Sequence, residues 1–117
     1  MRKLTIVTFV LIMTTVISVA WAKDAGVNRI IHDGASPYFT VEGFNHTGKK
    51  LWLGASYKCK GGDWKDLKPK RIKEKNGPFR KNFTMGLCPQ GYSTIRACLW
   101  EKKADNLMEG RIDCLDQ

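Results

Sequence analysis

Histidine is scarce in this chain: His32 and His46 are the only two among 117 residues. A hydrolytic triad needs Ser or Cys, His and an acid that meet in space, and no nucleophile-elbow pattern is present. There is no glycine-rich phosphate loop. Carboxylates are scattered rather than paired, which argues against glycosidase chemistry. Two histidines with a Lys or Arg would suit a small secreted ribonuclease, but nothing in their spacing selects it. His46, within Asn45-His46-Thr47-Gly48, reads more simply as a solvated turn residue. No Cys-x-x-Cys pair occurs, so a structural zinc site lacks the short ligand spacing it needs. The expectation is a protein that binds rather than catalyses, with no cofactor and no metal. Internal repeats and low-complexity stretches are also missing.

The one long apolar run lies at the start. Arg2 and Lys3 precede an uncharged stretch over 4–19, and Ala20-Trp21-Ala22 supplies a small-x-small cleavage pattern before Lys23-Asp24. This is the layout of a cleavable signal peptide over 1–22. No Cys follows the cleavage site, so a lipoprotein route has no acceptor. No later segment is apolar enough to span a bilayer, so a soluble mature chain, secreted or periplasmic, is expected.

One small domain remains, with residues 23–36 as a lead-in or edge strand and 37–117 as its body. A domain of this size is marginal without cross-links. Four cysteines, Cys59, Cys88, Cys98 and Cys114, all lie in the mature part. In an exported chain an even number reads as two disulfides.

The charge is uneven. The formal net charge is +9, of which Arg2 and Lys3 account for two. Between positions 58 and 81 lie ten basic residues and only three acids, so this segment carries +7 and the rest of the mature chain sums to zero. A local basic patch points to a polyanionic partner more strongly than a uniformly basic surface does. The plain alternative is that lysines on strand edges keep neighbouring chains from pairing.

Short alternating segments separated by turn residues predict an all-β domain. Strands are expected at 27–31, 38–44, 50–58, 66–74, 79–87, 92–101 and 109–115. Core positions are Phe39 and Val41; Leu51, Leu53, Ala55 and Tyr57; Phe79, Phe83, Met85 and Leu87; and Ile95, Ala97 and Leu99, with Ile112 at the centre of the last strand. Pro69 suits an edge strand, since it cannot donate to the ladder. Asn76-Gly77 is a tight-turn signal, and 102–108 reads as a polar hairpin loop. With no helical period, about seven short antiparallel strands argue for a two-sheet sandwich. A small barrel is the alternative.

Three stretches carry a resemblance: Phe39-Thr40-Val41-Glu42 before an Asn-x-Thr-Gly turn, Leu51-Trp52-Leu53-Gly54-Ala55-Ser56, and Tyr92-Ser93-Thr94-Ile95-Arg96-Ala97-Cys98-Leu99-Trp100. With Trp64-x-x-Leu67-x-Pro69 between them, they resemble the immunoglobulin-like modules of the CARDB type in exported and cell-surface prokaryotic proteins. The resemblance implies an immunoglobulin-like sandwich over about 39–112 and brings no catalytic residue with it. A lone module with four cysteines departs from that pattern.

With alternating strand directions, the strand ending at Cys59 and the one ending before Cys88 finish at the same end. Cys98 and Cys114 lie on consecutive strands and come nearly opposite each other. Cys59–Cys88 and Cys98–Cys114 is therefore the expected pairing. The face parity of the second pair requires a bulge.

Trp52 and Trp100 fall on the face opposite the core residues of their strands, and Trp64 sits in the basic segment. Exposed aromatics stack on sugar rings, and Lys or Arg hold anionic groups. Trp52 and Trp100 packing together beneath a loop is the simpler alternative. The candidate ligand-binding residues are thus Trp64, Lys65, Lys68, Lys70, Arg71, Lys73, Trp52 and Trp100. The expected partner is an anionic polymer or cell-envelope polysaccharide; the alternative is an effector, toxin or enzyme inhibitor acting on a protein or membrane target. Asn45-His46-Thr47 and Asn82-Phe83-Thr84 match the N-glycosylation pattern. In a eukaryotic host Asn45, in its turn, is a plausible acceptor, whereas in a bacterium both are chance matches. N-terminal sequencing of the exported protein is expected to begin at Lys23; a chain that retains 1–22 would show an uncleaved anchor instead.

Overall fold

Strict alternation decides which side chains go inside. On the strand after Pro37, Phe39 and Val41 are buried while Tyr38 is exposed and Thr40 and Glu42 lie between. The next strand buries Leu51, Leu53, Ala55 and Tyr57. A period of two fits a pleated strand with one face in a core. The computed structural model describes residues 23–102 and 110–117. The signal-peptide expectation for 1–22 and most of the 102–108 loop lie outside the described residues.

The described elements are β1 (Ala25–His32), β2 (Tyr38–Asn45), β3 (Leu51–Cys59), β4 (Trp64–Asp66), β5 (Lys70–Ile72), β6 (Gly77–Thr84), β7 (Tyr92–Trp100) and β8 (Arg111–Asp116). They form two antiparallel sheets. One has the order β1-β2-β6, and the other β4-β3-β7-β8 with β5 also on β3. A hairpin in one sheet, a crossing to the other, a return for β6 and a final hairpin make the Greek-key order of an immunoglobulin-like sandwich. The inward faces meet in one core that includes Val41, Leu53, Ala55, Ala97 and Leu99, each fully buried. Phe39 stacks on Phe83 at 5.2 Å between ring centroids.

Eight strands appear where seven are expected, because the 66–74 segment is divided. Trp64, Lys65 and Asp66 pair with one half of β3, and Lys70, Arg71 and Ile72 with the other. Between them Leu67 donates its N–H to the Ala55 carbonyl at 2.8 Å, and Pro69, with no N–H to give, interrupts the ladder. Asn76-Gly77 closes no hairpin; it lies where the chain crosses from β5 to β6 in the other sheet.

Two expected core residues are not in the core. Leu87 is 81% exposed and Ile112 is 40% exposed. β6 ends at Thr84, so Leu87 follows the strand rather than continuing its alternation. Ile112 is the extra residue of a bulge: Leu99 faces Asp113 and Trp100 faces Arg111. That bulge resets the parity, so Leu115 packs against the core and Cys98 stands directly opposite Cys114. The disulfides are Cys59–Cys88 and Cys98–Cys114, as the strand directions require. The second lies on the outer face of the five-stranded sheet, in a small cluster with Trp100 and Trp52.

The crossings at the end holding the β2–β3 turn are tied by one side chain. Asn45 is fully buried. Its Nδ2 donates to the carbonyls of Lys49 at 2.7 Å and Glu74 at 2.8 Å. Its Oδ1 accepts from the Thr47 N–H at 3.0 Å and the Thr47 hydroxyl at 2.7 Å. Both donors and both acceptor sites of the carboxamide are used, so the β2–β3 turn and the β5–β6 crossing share one bracket. Asn45 is therefore no surface acceptor for a glycan. Close packing also explains Gly43: a Cβ there would collide with the Gly26 carbonyl and the Phe79 ring. Asn45→Asp places oxygen against two carbonyl oxygens, and Asn45→Ala leaves them unpaired. Either is expected to cost about 2 kcal/mol or more, read as a fall in denaturation midpoint.

Candidate functional site

The basic segment follows a defined path. Gly61-Gly62 turns the chain after β3, β4 and β5 then run back along the outside of β3, and 73–76 carries it to β6. β4 and β5 make one edge of the five-stranded sheet, and β6 is an edge of the three-stranded sheet. The two edges lie on the same flank. Lys70 of β5 places its Nζ 5.3 Å from the centroid of the Phe83 ring on β6, and Lys81 of β6 stands 4.0 Å from Glu74.

Register divides the predicted residues into three groups. Lys65 pairs with Tyr57 and Lys70 with Leu53, both inward positions, so these lysines lie on the inner side of the edge. Lys81 alternates inward between Phe79 and Phe83, with its side chain 24% exposed. Lys68 and Lys73 are exposed beside β5. Lys65, Lys70 and Lys81 thus make an ammonium-lined seam between the two sheet edges, with Lys68 and Lys73 exposed beside it. Trp52, Trp100 and Arg71 form a second group, on the outer face: Trp52 faces both Trp100 and Arg71 across the ladders. The Arg71 guanidinium lies 5.0 Å from the Trp52 ring centroid. Trp64 stands apart, 39% exposed, with the Arg96 guanidinium 4.5 Å from its centroid.

Trp100 departs from the expectation of an exposed ring. It is 3% exposed and offers a ligand no stacking face, because it packs with Trp52 and the Cys98–Cys114 bridge. Trp64 is the exposed tryptophan among the described residues. Arg96 is the residue that sequence reasoning passed over; Lys81 belongs to the basic segment without being named among its candidates. Arg96 alternates outward with Cys98 and Trp100, a signal visible in the strand pattern. Nothing local indicates that it reaches Trp64 across β3.

Outside the seam, several cations are answered by carboxylates. Arg96 makes two hydrogen bonds to Asp116, at 2.7 and 2.9 Å. That bonding holds the Asp116 carboxyl below its ordinary value against the cost of its burial, with Arg96 and Arg111 adding charge attraction. On the three-stranded sheet Glu42 takes Arg29 at 2.6 Å and Arg80 at 3.2 Å. The two histidines do not meet. His32 ends β1, its Nε2 2.7 Å from the Ser36 carbonyl, whereas His46 follows the far end of β2. A strand's length of about 20 Å separates them, so no joint acid–base pair forms. Among the described residues no group of three or more His, Cys, Asp or Glu is placed to hold a metal ion.

The flank opposite the seam is closed by Asp113. Its Oδ2 accepts the Val27 N–H of β1 at 2.9 Å, and Lys23 pairs with its other oxygen. Among the described residues no helix is long and apolar enough to cross a membrane. The fold and the seam define a two-disulfide, two-sheet sandwich with one closed flank and one basic flank. No protein-family model matches the chain, and no curated protein does.

Burial pushes the Asp113 carboxyl up, but the Lys23 hydrogen bond, the Val27 N–H, the Lys23 charge and the Cys114 N–H together hold it below its ordinary 3.8. Its folded-state value is thus depressed, so its stabilisation is present above about pH 4 and is lost as pH falls through the lower folded value. Asp113→Asn is expected to lower stability at neutral pH by about 1–3 kcal/mol. It should also flatten the acid limb of a stability-against-pH curve measured by chemical denaturation.

Proposed function

We propose that this is an exported, non-enzymatic binding module that holds an anionic polymer, a cell-envelope polysaccharide by class, along its basic flank. The observation that carries this reading is the convergence of lysines from the edges of both sheets. Lys65, Lys68, Lys70 and Lys73 belong to one edge and Lys81 to the other. An array of like charge stands here, with Glu74 beside Lys81, while Arg29, Arg80 and Arg96 elsewhere are matched to Glu42 and Asp116. Such an array favours a partner with repeating negative charge and releases its counterions on binding. Trp64, on the outer face of the same edge and 39% exposed with Arg96 against its ring, adds an aromatic surface suited to a sugar.

Two disulfides fit an oxidising compartment. The CARDB-type resemblance supports the same exported setting. Inward-pointing lysines on edge strands also block pairing with other chains. That role and anion binding draw on the same property, charge left available at an open edge.

Titration with heparin, polygalacturonate, a neutral glucan and duplex DNA at low and physiological salt tests the proposal. Selective binding to one acidic glycan, weakening as salt rises, is expected. Replacing Lys65, Lys68, Lys70 and Lys73 with Gln should lower that affinity about tenfold or more and flatten its salt dependence. Stability should change little, because exposed lysines contribute little to it. Binding that the fourfold variant leaves unchanged would make the seam an edge-protection device alone.

A further inference from the structure

The end of the sandwich that carries Cys59–Cys88 holds a feature that the basic flank does not use. Leu87 is 81% exposed. A single exposed leucine is ordinary; the way its backbone is held is not. On its N-terminal side the Gly86 N–H donates to the Tyr57 hydroxyl at 2.9 Å, and the Tyr92 hydroxyl donates to the Gly86 carbonyl at 2.7 Å. Burial and then Tyr57 push the Tyr92 phenol above its ordinary value. Both tyrosines project from the central strands β3 and β7. A Cβ on Gly86 would stand 2.6 Å from the Tyr57 hydroxyl, so any larger residue would have to displace it. One residue earlier, Met85 is buried in the core and its N–H bonds the Pro37 carbonyl at 2.7 Å.

The C-terminal side is equally restrained. Cys88 is cross-linked to Cys59. The Gly91 N–H closes a turn onto the Cys88 carbonyl at 2.9 Å, and the Gly91 carbonyl accepts the Lys60 N–H at 3.0 Å. Pro89 fixes its own φ. Between these anchors, the N–H and C=O of Leu87 make no hydrogen bond to any described residue.

We propose that residues 85–88 are a peptidase-inhibitory loop, with Leu87 filling the primary specificity pocket of an endopeptidase that accepts leucine. A peptidase cleft takes a segment by pairing with its backbone N–H and C=O groups while a side chain fills a pocket. Leu87 presents all three. A loop already held in one conformation avoids most of the ordering cost that an ordinary substrate loop meets on binding.

The same restraints oppose turnover. In acyl transfer the enzyme nucleophile bonds to the Leu87 carbonyl carbon, and the C–N bond to Cys88 breaks. The Cys88 nitrogen takes the proton and leaves as an amine. That amine stays in place, because Cys88 remains bonded to Cys59 on the other fragment. Its high effective concentration favours re-formation of the amide over hydrolysis. Net hydrolysis would add one water, leaving a carboxylate on Leu87 and an amine on Cys88, still joined through the disulfide.

This inference does not depend on polyanion binding, and the two fail separately. The oxidised mature protein is titrated against chymotrypsin-type, subtilisin-type and papain-type peptidases with leucyl peptide substrates. Competitive inhibition of at least one is expected, with the inhibitor largely intact. Leu87→Asp should weaken it about 30-fold or more, the size of a hot-spot loss, and Leu87→Lys should transfer inhibition to a trypsin-type enzyme. Circular dichroism and intact disulfide masses confirm that the variants fold. The fourfold lysine variant should inhibit as well as the parent. Absence of inhibition across the panel would overturn the proposal. So would inhibition indifferent to Leu87→Asp, or rapid cleavage after Leu87 without inhibition.

Discussion

The pairing of β3 with β7 is the constraint on which the rest of the molecule depends. These are the two longest described strands, nine residues each, and their ladder runs from Trp52 opposite Trp100 to Cys59 opposite Tyr92. Inward, the ladder places Leu53 against Leu99 and Ala55 against Ala97 at the centre of the core. Outward, it places Trp52 against Trp100 and brings Arg96 beside Ser56, within reach of Trp64. One free side of β3 receives β4 and β5, and one free side of β7 receives β8. A slip of β3 by one residue against β7 would send Leu53 outside and Trp52 inside. The two disulfides anchor these strands to their surroundings. Cys59 leaves the end of β3, and Cys98 projects from β7 to its neighbour β8.

From that centre the two flanks diverge. On the β1 and β8 side, a carboxylate from one sheet accepts a backbone N–H from the other, and Lys23 neutralises it. On the other side the edges β4–β5 and β6 bring lysine toward lysine, with Phe83 beneath Lys70 and Glu74 near Lys81. An open sheet edge is a template for unwanted pairing. Charge and Pro69 make this one unattractive to another strand while leaving it attractive to an anion. The Leu87 loop belongs to neither flank. It is held by hydroxyls from β3 and β7, so the central pair also sets the geometry of the end of the sandwich.

Much of this was legible in the chain. The alternation of Leu51, Leu53, Ala55 and Tyr57 against Trp52 and Ser56 is strong enough to identify the inner face of β3 unaided. The even cysteine count and the strand directions were enough to pair the bridges. Where reading along the chain failed, a non-local contact had taken over. Ile112 looks like a strand centre, but the Cys98–Cys114 register inserts a bulge there. Leu87 looks like the next inward residue of β6, but the backbone leaves the sheet first and Gly86 is taken by two tyrosines. Asn45 looks like a turn residue open to a glycan, because the partners that bury it, Glu74 among them, lie partly far along the sequence.

By itself the sequence determined the period, the turns, the cysteine count and the concentration of lysine between 58 and 81, because these are properties of neighbouring residues. It therefore determined an all-β sandwich with two bridges and a basic segment. The tertiary structure alone decided which lysines share a seam, that Trp100 is covered while Trp64 is not, and that Leu87 stands exposed on an anchored backbone. Each of these depends on which strand lies beside which, and on bulges that change the facing of a side chain without changing the local pattern.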